Sequence, residues 1–359
     1  MKLRGCIIFI VVIVAAAIFA LAIISHYNNA ISESNKTGEI ASITISSGES
    51  PNSVKDTLIS NNIIKDQDVF FGFSAYKLYE YFTKFDTKIQ AGSYSIEKGS
   101  SIKDVAEILQ KADVDQAKVT IREGLRLEEM ADEFNRVLND GINKKSKYNK
   151  NDFINLAKNY DTGTKEYLSS RPIGNRSLEG YLFPDTYFLS KDVSAQSVIN
   201  TMLDNFNNKI YQPYLGTIKI NKYNLHQLLT VSSIVQREVQ TPEDMAMVSS
   251  IFFRRIELNL PLGSDVTVLY ALGYSQSEGV WWRKAEPTQQ DLLINSPYNT
   301  RKFTGLPPGP IDSPGLASFL ATLNPKSTNY LYFLTDKEGI TRYAKTAAEH
   351  EANIKKYLS

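Results

Sequence analysis

Two carboxylates stand out for their surroundings. Glu238 closes the run Leu228-Leu-Thr-Val-Ser-Ser-Ile-Val-Gln-Arg-Glu238, and Glu179 lies within Ser177-Leu-Glu-Gly-Tyr-Leu-Phe-Pro-Asp-Thr-Tyr187. Each sets an acid among apolar or aromatic neighbours, where ionisation is disfavoured and a proton can be held for donation near neutral pH. On a helix of about 100° per residue, Glu238 falls between Val231 and Ile234 and close to Val235, on the apolar face, while Gln236 and Arg237 point elsewhere. A carboxylate on that face needs a partner or stays protonated, and both a buried structural ion pair and a general acid satisfy this. Around Glu179, Gly180 and Pro184 bracket the aromatics, so the spacing predicts a fixed, irregular loop. Glu179 is then either a second carboxylate in a cleft or the cap of a backbone amide.

The neighbouring elements fix where Glu238 sits. Thr241 reads as an N-cap, Pro242 as the first helical position, and Glu243 and Asp244 suit the positive end of a new helix. The Glu238 helix must therefore end abruptly, which holds its last side chain beside a turn and near an opening. Met245 to Arg255 reads as a core helix, and Ala195 to Asn208 as another. Leu262 to Tyr270, Ser296 to Thr300 and Gly305 to Ile311 read as loops that mix rigid turns with hydroxyl, amide and tyrosine groups, a lining suited to sugars and common to polar loops generally. Ser313-Pro-Gly315 opens a short helix, Tyr330 to Leu334 is a strand, and Ala347 to Leu358 is a closing helix.

Upstream the chain repeats. Aligned on Gly48, Gly99 and Gly124, the segments Ile43–Gly48, Tyr94–Gly99 and Val119–Gly124 carry apolar residues five and three positions before each glycine. After each glycine, apolar residues recur at the sixth and tenth positions: Val54 and Leu58, Val105 and Leu109, Met130 and Phe134. Period two followed by a spacing of four predicts strand, glycine turn and helix three times over. The second copy, with Gly99-Ser-Ser-Ile-Lys-Asp-Val-Ala-Glu-Ile-Leu109, is similar to a LysM module, a small fold that grips N-acetylglucosamine polymers. Its turn departs from the usual Gly-Asp-Thr-like form, so spacer and sugar-binding roles both stay open. Between the first two copies, Val69 to Phe82 is strongly aromatic and is expected to form a helix packed on the repeats. Residues 25–39 have the polar composition of a flexible tether, and 140–175 that of a hinge around a short helix.

Cys6 to Ile24 carries no charge and as a helix spans about 28 Å, enough for the hydrocarbon of a bilayer. Lys2 and Arg4 precede it with no basic cluster after it, which predicts a cytoplasmic N-terminus. The run is long for a signal peptide and no clean cleavage site follows, so an uncleaved anchor is expected. With 359 residues the chain exceeds one ordinary core, and its net charge of +1 with no basic block argues against nucleic acid. Cys6 is the only cysteine, and His26, His226 and His350 are scattered, so neither a disulfide nor a metal site is expected, and no phosphate loop or cofactor motif is present.

Taken together, these residues resemble the endolytic murein transglycosylases of the YceG-like type. The resemblance is carried by Leu178-Glu-Gly-Tyr181, Phe183-Pro-Asp-Thr-Tyr187, Ser233-Ile-Val-Gln-Arg-Glu238, Val248 to Arg255, Asp265-Val-Thr-Val-Leu-Tyr270, Tyr298-Asn-Thr300, Gly305-Leu-Pro-Pro-Gly309 and Tyr330-Leu-Tyr-Phe333. Two positions depart from it: Gln236 stands where members often carry Glu, and Val266 replaces a usual Pro. The resemblance implies an α+β protein: cytoplasmic tail 1–5, transmembrane helix 6–24, linker 25–40, LysM-like delivery region 41–140, connecting segment 141–176 and catalytic domain 177–359.

It further implies that Glu238 is the catalytic acid. Glu179, Gly180, Tyr181, Thr186, Tyr187, Asp265, Thr267, Tyr298, Asn299 and Thr300 would bind substrate. The implied reaction is non-hydrolytic cleavage of the β-1,4 bond between N-acetylmuramic acid and N-acetylglucosamine, leaving 1,6-anhydro ends on nascent peptidoglycan, without metal or cofactor. The implied partners are glycan strands, the membrane and cell-wall synthases, with the catalytic domain outside the cell membrane. A non-catalytic peptidoglycan-binding scaffold and a hydrolytic muramidase are the rival readings.

Overall fold

The computed structural model of the chain describes residues 2–45, 48–70, 72–111, 116–139, 146–163, 165–190, 193–283 and 285–358. It divides into two units, Met1–Lys118 with Tyr187–Ser190, and Val119–Thr186 with Lys191–Ser359. The expected turn residues Ser46 and Ser47, and 140–145 of the expected hinge, lie outside the described residues.

The first unit runs α1 (Lys2–Ser32), β1 (Ile40–Ile45), α2 (Pro51–Ser60), β2 (Asp68–Phe70), β3 (Phe73–Ser74), α3 (Ala75–Thr83), β4 (Gly92–Glu97) and α4 (Ile102–Gln110). β1 and β4 pair antiparallel, with Ile43 opposite Tyr94 and Ala41 opposite Ile96. Each of the first two repeat copies is thus strand, turn and helix, and their strands share one ladder. Ser50 and Ser101 cap α2 and α4 through their side chains, and the apolar pairs Val54/Leu58 and Val105/Leu109 are buried together with Ile43 and Ile96. Truncating Leu58 or Leu109 to Ala costs about 2–5 kcal/mol on the usual scale for sealed core leucines.

Two expectations for this unit are corrected. Residues 25–39 are not a free tether: α1 continues to Ser32, Ala30 and Ile31 are buried in the unit's core, and Asn35 N–H donates to the Gly99 carbonyl at 2.8 Å. Polar composition gave no warning of the two small apolar residues that dock. The aromatic run is not one helix either, because Gly72 takes φ +82° and turns β2 back onto β3 before α3 begins. α1 is long and apolar enough to cross a membrane over Val12–Ser32.

β5 (Gln116–Thr120) and β6 (Thr186–Ser190) pair in a ladder through which the chain passes from one unit to the other. The second unit then holds α5 (Leu127–Leu138), α6 (Lys150–Lys158), α7 (Ala195–Phe206), α8 (Gln212–Ile220), α9 (Leu225–Glu238), α10 (Pro242–Glu257), α11 (Asp265–Leu272), α12 (Leu316–Leu323), β7 (Tyr332–Thr335), β8 (Thr341–Ala344) and α13 (Ala347–Tyr357). The architecture is mixed α+β, as expected. The third repeat copy, Val119 onward, belongs to this unit. α6, expected as part of a hinge, is packed instead: Phe153 meets Phe134 and Tyr148 in a three-ring cluster. Leu262 to Tyr270, expected as a loop, is helical from Asp265, with Ser264 at the N-cap position but its hydroxyl given to Glu238 instead of to the helix N–H groups.

α9 is the centre of the second unit. Leu228 to Val235 are all buried, and the helix packs against α10, α11 and α12. Asn224 and Gln227 form its capping box. It stops at Glu238 because Val239 turns extended and Thr241 Oγ1 accepts the Asp244 N–H to begin α10, with Pro242 in its first turn.

Candidate active site

Glu238 is the last residue of α9, and its carboxylate accepts a short hydrogen bond from the Ser264 hydroxyl at the start of α11. It is partly exposed, and it lines a cleft of about 500 Å³ together with Ser264, Asp265, Arg255, Arg301, Tyr332 and His350. Burial pushes its carboxyl above the ordinary range. The Ser264 hydroxyl opposes this, Asp265 adds to it, and Arg301 opposes it more weakly. Arg301 meanwhile pairs in two-pronged fashion with Asp265, Nη2 to Oδ2 at 2.9 Å, so the two charges beside the acid largely offset each other. A carboxyl raised by burial that still opens to a cleft is what general acid chemistry requires.

Ser264 and Arg301 are held by a hydrogen-bonded set of neighbours. Thr267 Oγ1 and Thr300 Oγ1 are 2.8 Å apart, and the Ser264 N–H donates to Thr300 Oγ1 at 3.2 Å. Asn299 is sealed, with its amide donating to the Leu292 and Ile294 carbonyls and its oxygen accepting from Arg301 and Lys302 N–H. Arg255 on α10 donates to the Leu331, Pro261 and Leu262 carbonyls, which ties the β7 edge to the loop before α11. The third wall comes from the C-terminal end, where His350 stacks on Tyr332 with ring centroids 5.3 Å apart.

Glu179 sits elsewhere in the same unit. It is sealed from solvent, accepting from the Leu127 N–H at 3.2 Å and the Tyr270 hydroxyl at 3.3 Å. Burial, reinforced by Glu128, pushes its carboxyl up to about 8 against the pull of Arg126 and these donors. Arg126 lies over the Tyr270 ring at 4.2 Å and the Trp281 ring at 4.6 Å, while Arg237 covers Trp282 at 4.1 Å. Tyr298 packs on Tyr270 at 4.7 Å. Asp312 is also sealed, both its carboxyl oxygens lack a hydrogen-bond partner among the described residues, and burial drives its pKa well above the aspartate range. α11 touches both groups, Ser264 and Asp265 at one end and Tyr270 about 9 Å of helix rise further on.

Of the residues expected in the site, Glu238 and Asp265 line the cleft, while Thr267, Asn299 and Thr300 do not line it but hydrogen-bond the backbone of Ser264 and Arg301. Glu179 and Tyr298 form the second group. Gly180 is structural: at φ +82° a Cβ would meet Pro310 at 2.6 Å. Tyr181 is core, its hydroxyl 3.0 Å from His226 Nδ1, while His226 Nε2 donates to the Pro308 carbonyl at 2.9 Å. That fixes the tautomer, with Nδ1 accepting from Tyr181. Thr186 bonds Thr120 across the β5–β6 ladder, and Tyr187, buried, belongs to the first unit. The structure does not bring Gly180, Tyr181, Thr186 or Tyr187 to the Glu238 cleft. Gln236 does not face it either: its oxygen accepts from Gly315 N–H and Ser318 Oγ, and its amide reaches Glu123, joining α9 to α12.

Sequence reasoning missed Ser264, Arg301, Arg255 and His350. Ser264 was readable as the cap of a helix had Asp265–Leu272 been recognised as one. The other three carry no local pattern. On this α+β scaffold, the site is a cleft onto which one raised carboxyl, Glu238, opens beside the Arg301-paired Asp265.

Comparison with known proteins gives the family. Residues 43–356 match the model of the YceG-like family. The chain is 33% identical over 332 residues to the endolytic murein transglycosylase of Bacillus subtilis (strain 168), covering 88% of this chain and 84% of that protein. It is 30% identical over 331 residues to the endolytic murein transglycosylase of Streptococcus pneumoniae serotype 2, of whose length it spans 58%. It also superposes on a crystal structure of a yceG-like protein from Listeria monocytogenes with a TM-score of 0.55 and 28% identity, covering 88% of this chain and 99% of that one. The chain belongs to the YceG-like family.

Proposed function

We propose that the protein is an endolytic lytic transglycosylase that cuts the β-1,4 bond between N-acetylmuramic acid and N-acetylglucosamine in peptidoglycan glycan strands. One observation carries this reading: a carboxyl at the end of α9, raised by burial, held by Ser264 and open to the cleft. The names of the Bacillus and Streptococcus relatives support it. Protonated Glu238 donates to the glycosidic oxygen as the C1–O bond breaks. The carboxylate left behind takes the proton of the muramoyl 6-hydroxyl as that oxygen bonds to C1. The product is a 1,6-anhydro end, and Glu238 returns protonated. Because the nucleophile belongs to the substrate, a second catalytic carboxylate is not needed, in contrast to the two-carboxylate plan of ordinary glycosidases.

In the same proposal α1 anchors the chain with its N-terminus in the cytoplasm, so cleavage falls on nascent strands close to the membrane and near the synthases that make them. The test is mass spectrometry of peptidoglycan digested by the full chain in labelled water. Anhydro-muropeptides free of oxygen-18 support the reading. Reducing ends carrying oxygen-18 would make the protein a hydrolase, and no released fragments would make it a binding scaffold.

A further inference from the structure

The aromatic run before the second repeat copy presents two opposite faces. On α3, Tyr76 is sealed in the core and stacks edge-on with Phe85, as a structural helix requires. Tyr81 and Phe82 at the other end of the helix point outward, 66% and 67% exposed, with their rings 5.5 Å apart. Two adjacent, bare aromatic rings cost solvation free energy in water and invite cover.

The position of these rings relative to α1 identifies the cover. Phe82 meets Tyr27 of α1 edge-on at 6.2 Å, and α1 and α3 pack together. Tyr27 lies three residues beyond Ile24, where the continuous apolar run gives way to Ser25 and His26, so it sits about 5 Å along the helix past that run, in the polar end of the spanning stretch and at headgroup level. Whatever touches Tyr27 from the side is at the same level. Because Ala30 and Ile31 are buried in the first unit's core, α1 enters that unit as a continuous helix, and the level of Phe82 is set by the anchor. Lys84, next to the patch, has its ammonium 4.7 Å from the Tyr81 ring centroid, well placed for a lipid phosphate. Aromatic rings with one apolar and one wet side, flanked by lysine, are the groups that favour the interface between acyl chains and headgroups.

We propose that the first unit rests on the bilayer surface through Tyr81, Phe82 and Lys84, a second membrane contact continuous with α1. This rests on the reading of α1 as a membrane anchor. The contact would fix the unit's orientation on the lipid surface instead of leaving it to swivel about a single helix.

Cys6 is the only cysteine, so site-directed nitroxide labelling is clean in a Cys6→Ser background. Full-length Phe82→Cys, Tyr81→Cys and Ile18→Cys variants are labelled and reconstituted into phosphatidylcholine/phosphatidylglycerol vesicles. Collision with oxygen and with a water-soluble nickel chelate is then read by power saturation, calibrated with lipids labelled at known depths. The expected result is a hydrocarbon depth at position 18 and a boundary depth, between acyl chains and headgroups, at 81 and 82. A fully aqueous ratio at 81 and 82 with a deep label at 18 would overturn the surface contact while leaving the anchor intact. Low collision with both reagents at 82 would mean that protein covers the patch, overturning the lipid as occupant. An aqueous label at 18 would overturn the anchor and the proposal together.

Discussion

Two of the second unit's raised carboxyls, Glu238 and Glu179, differ in access more than in chemistry. Glu238 and Glu179 are both pushed up mainly by burial, and both accept a hydroxyl hydrogen bond, from Ser264 and Tyr270 respectively. Glu238 opens to a cleft, whereas Glu179 also satisfies the buried Leu127 N–H and is sealed behind Arg126 and its aromatic stack. A perturbed carboxyl is therefore not by itself an acid catalyst. Only the one that a substrate oxygen can reach can donate, and the sealed one holds backbone and helix ends in place.

The sharpest way to break this comparison is to neutralise each carboxyl. Glu238→Gln keeps the shape and the Ser264 contact but cannot donate a proton, so glycan cleavage is expected to fall about 100- to 10,000-fold with unfolding by urea unchanged. Glu179→Ala strands the Leu127 N–H, and a loss of about 1–3 kcal/mol in urea unfolding is expected. Unaltered stability with lost turnover would give Glu179 the role assigned to Glu238.

Ser264→Ala removes the hydroxyl that holds the Glu238 carboxyl down, so its pKa rises. Activity, which needs the protonated form, should then persist to higher pH, and the alkaline limb of kcat/KM should move up. A downward shift would contradict the acid role. A further effect is in stability against pH. Glu179 is protonated in folded and unfolded chains below pH 4.5, and as pH rises toward about 8 the unfolded chain ionises first. Its contribution to stability is therefore lost across that window. Tm should fall between pH 5 and 8 in wild type, and the slope should flatten in Glu179→Gln.

The local patterns were legible where a few neighbouring residues decide the outcome. The apolar stripe of α9, the Thr241-Pro242 start of α10 and the glycine turns of the repeats could all be read from spacing. What failed was long-range docking. The end of α1 looked like a tether because Ala30 and Ile31 are too few to register as a pattern, yet both pack into the first unit. Tyr181 looked like a site residue because aromatics beside an acid suit a sugar, while its partner His226 lies on α9, far away in sequence. Arg301, Arg255 and His350 reach the Glu238 cleft from separate elements, and only tertiary packing brings them there.

The proposed cleavage rests on Glu238, the carboxyl that is both raised and open to the cleft. Its most direct test is the initial rate of muropeptide release from purified sacculi by wild type, Glu238→Gln and Glu179→Gln, each matched for folded protein. Near-complete loss in Glu238→Gln alone, with anhydro ends from the other two, is the predicted result. Wild-type rates in Glu238→Gln would contradict it.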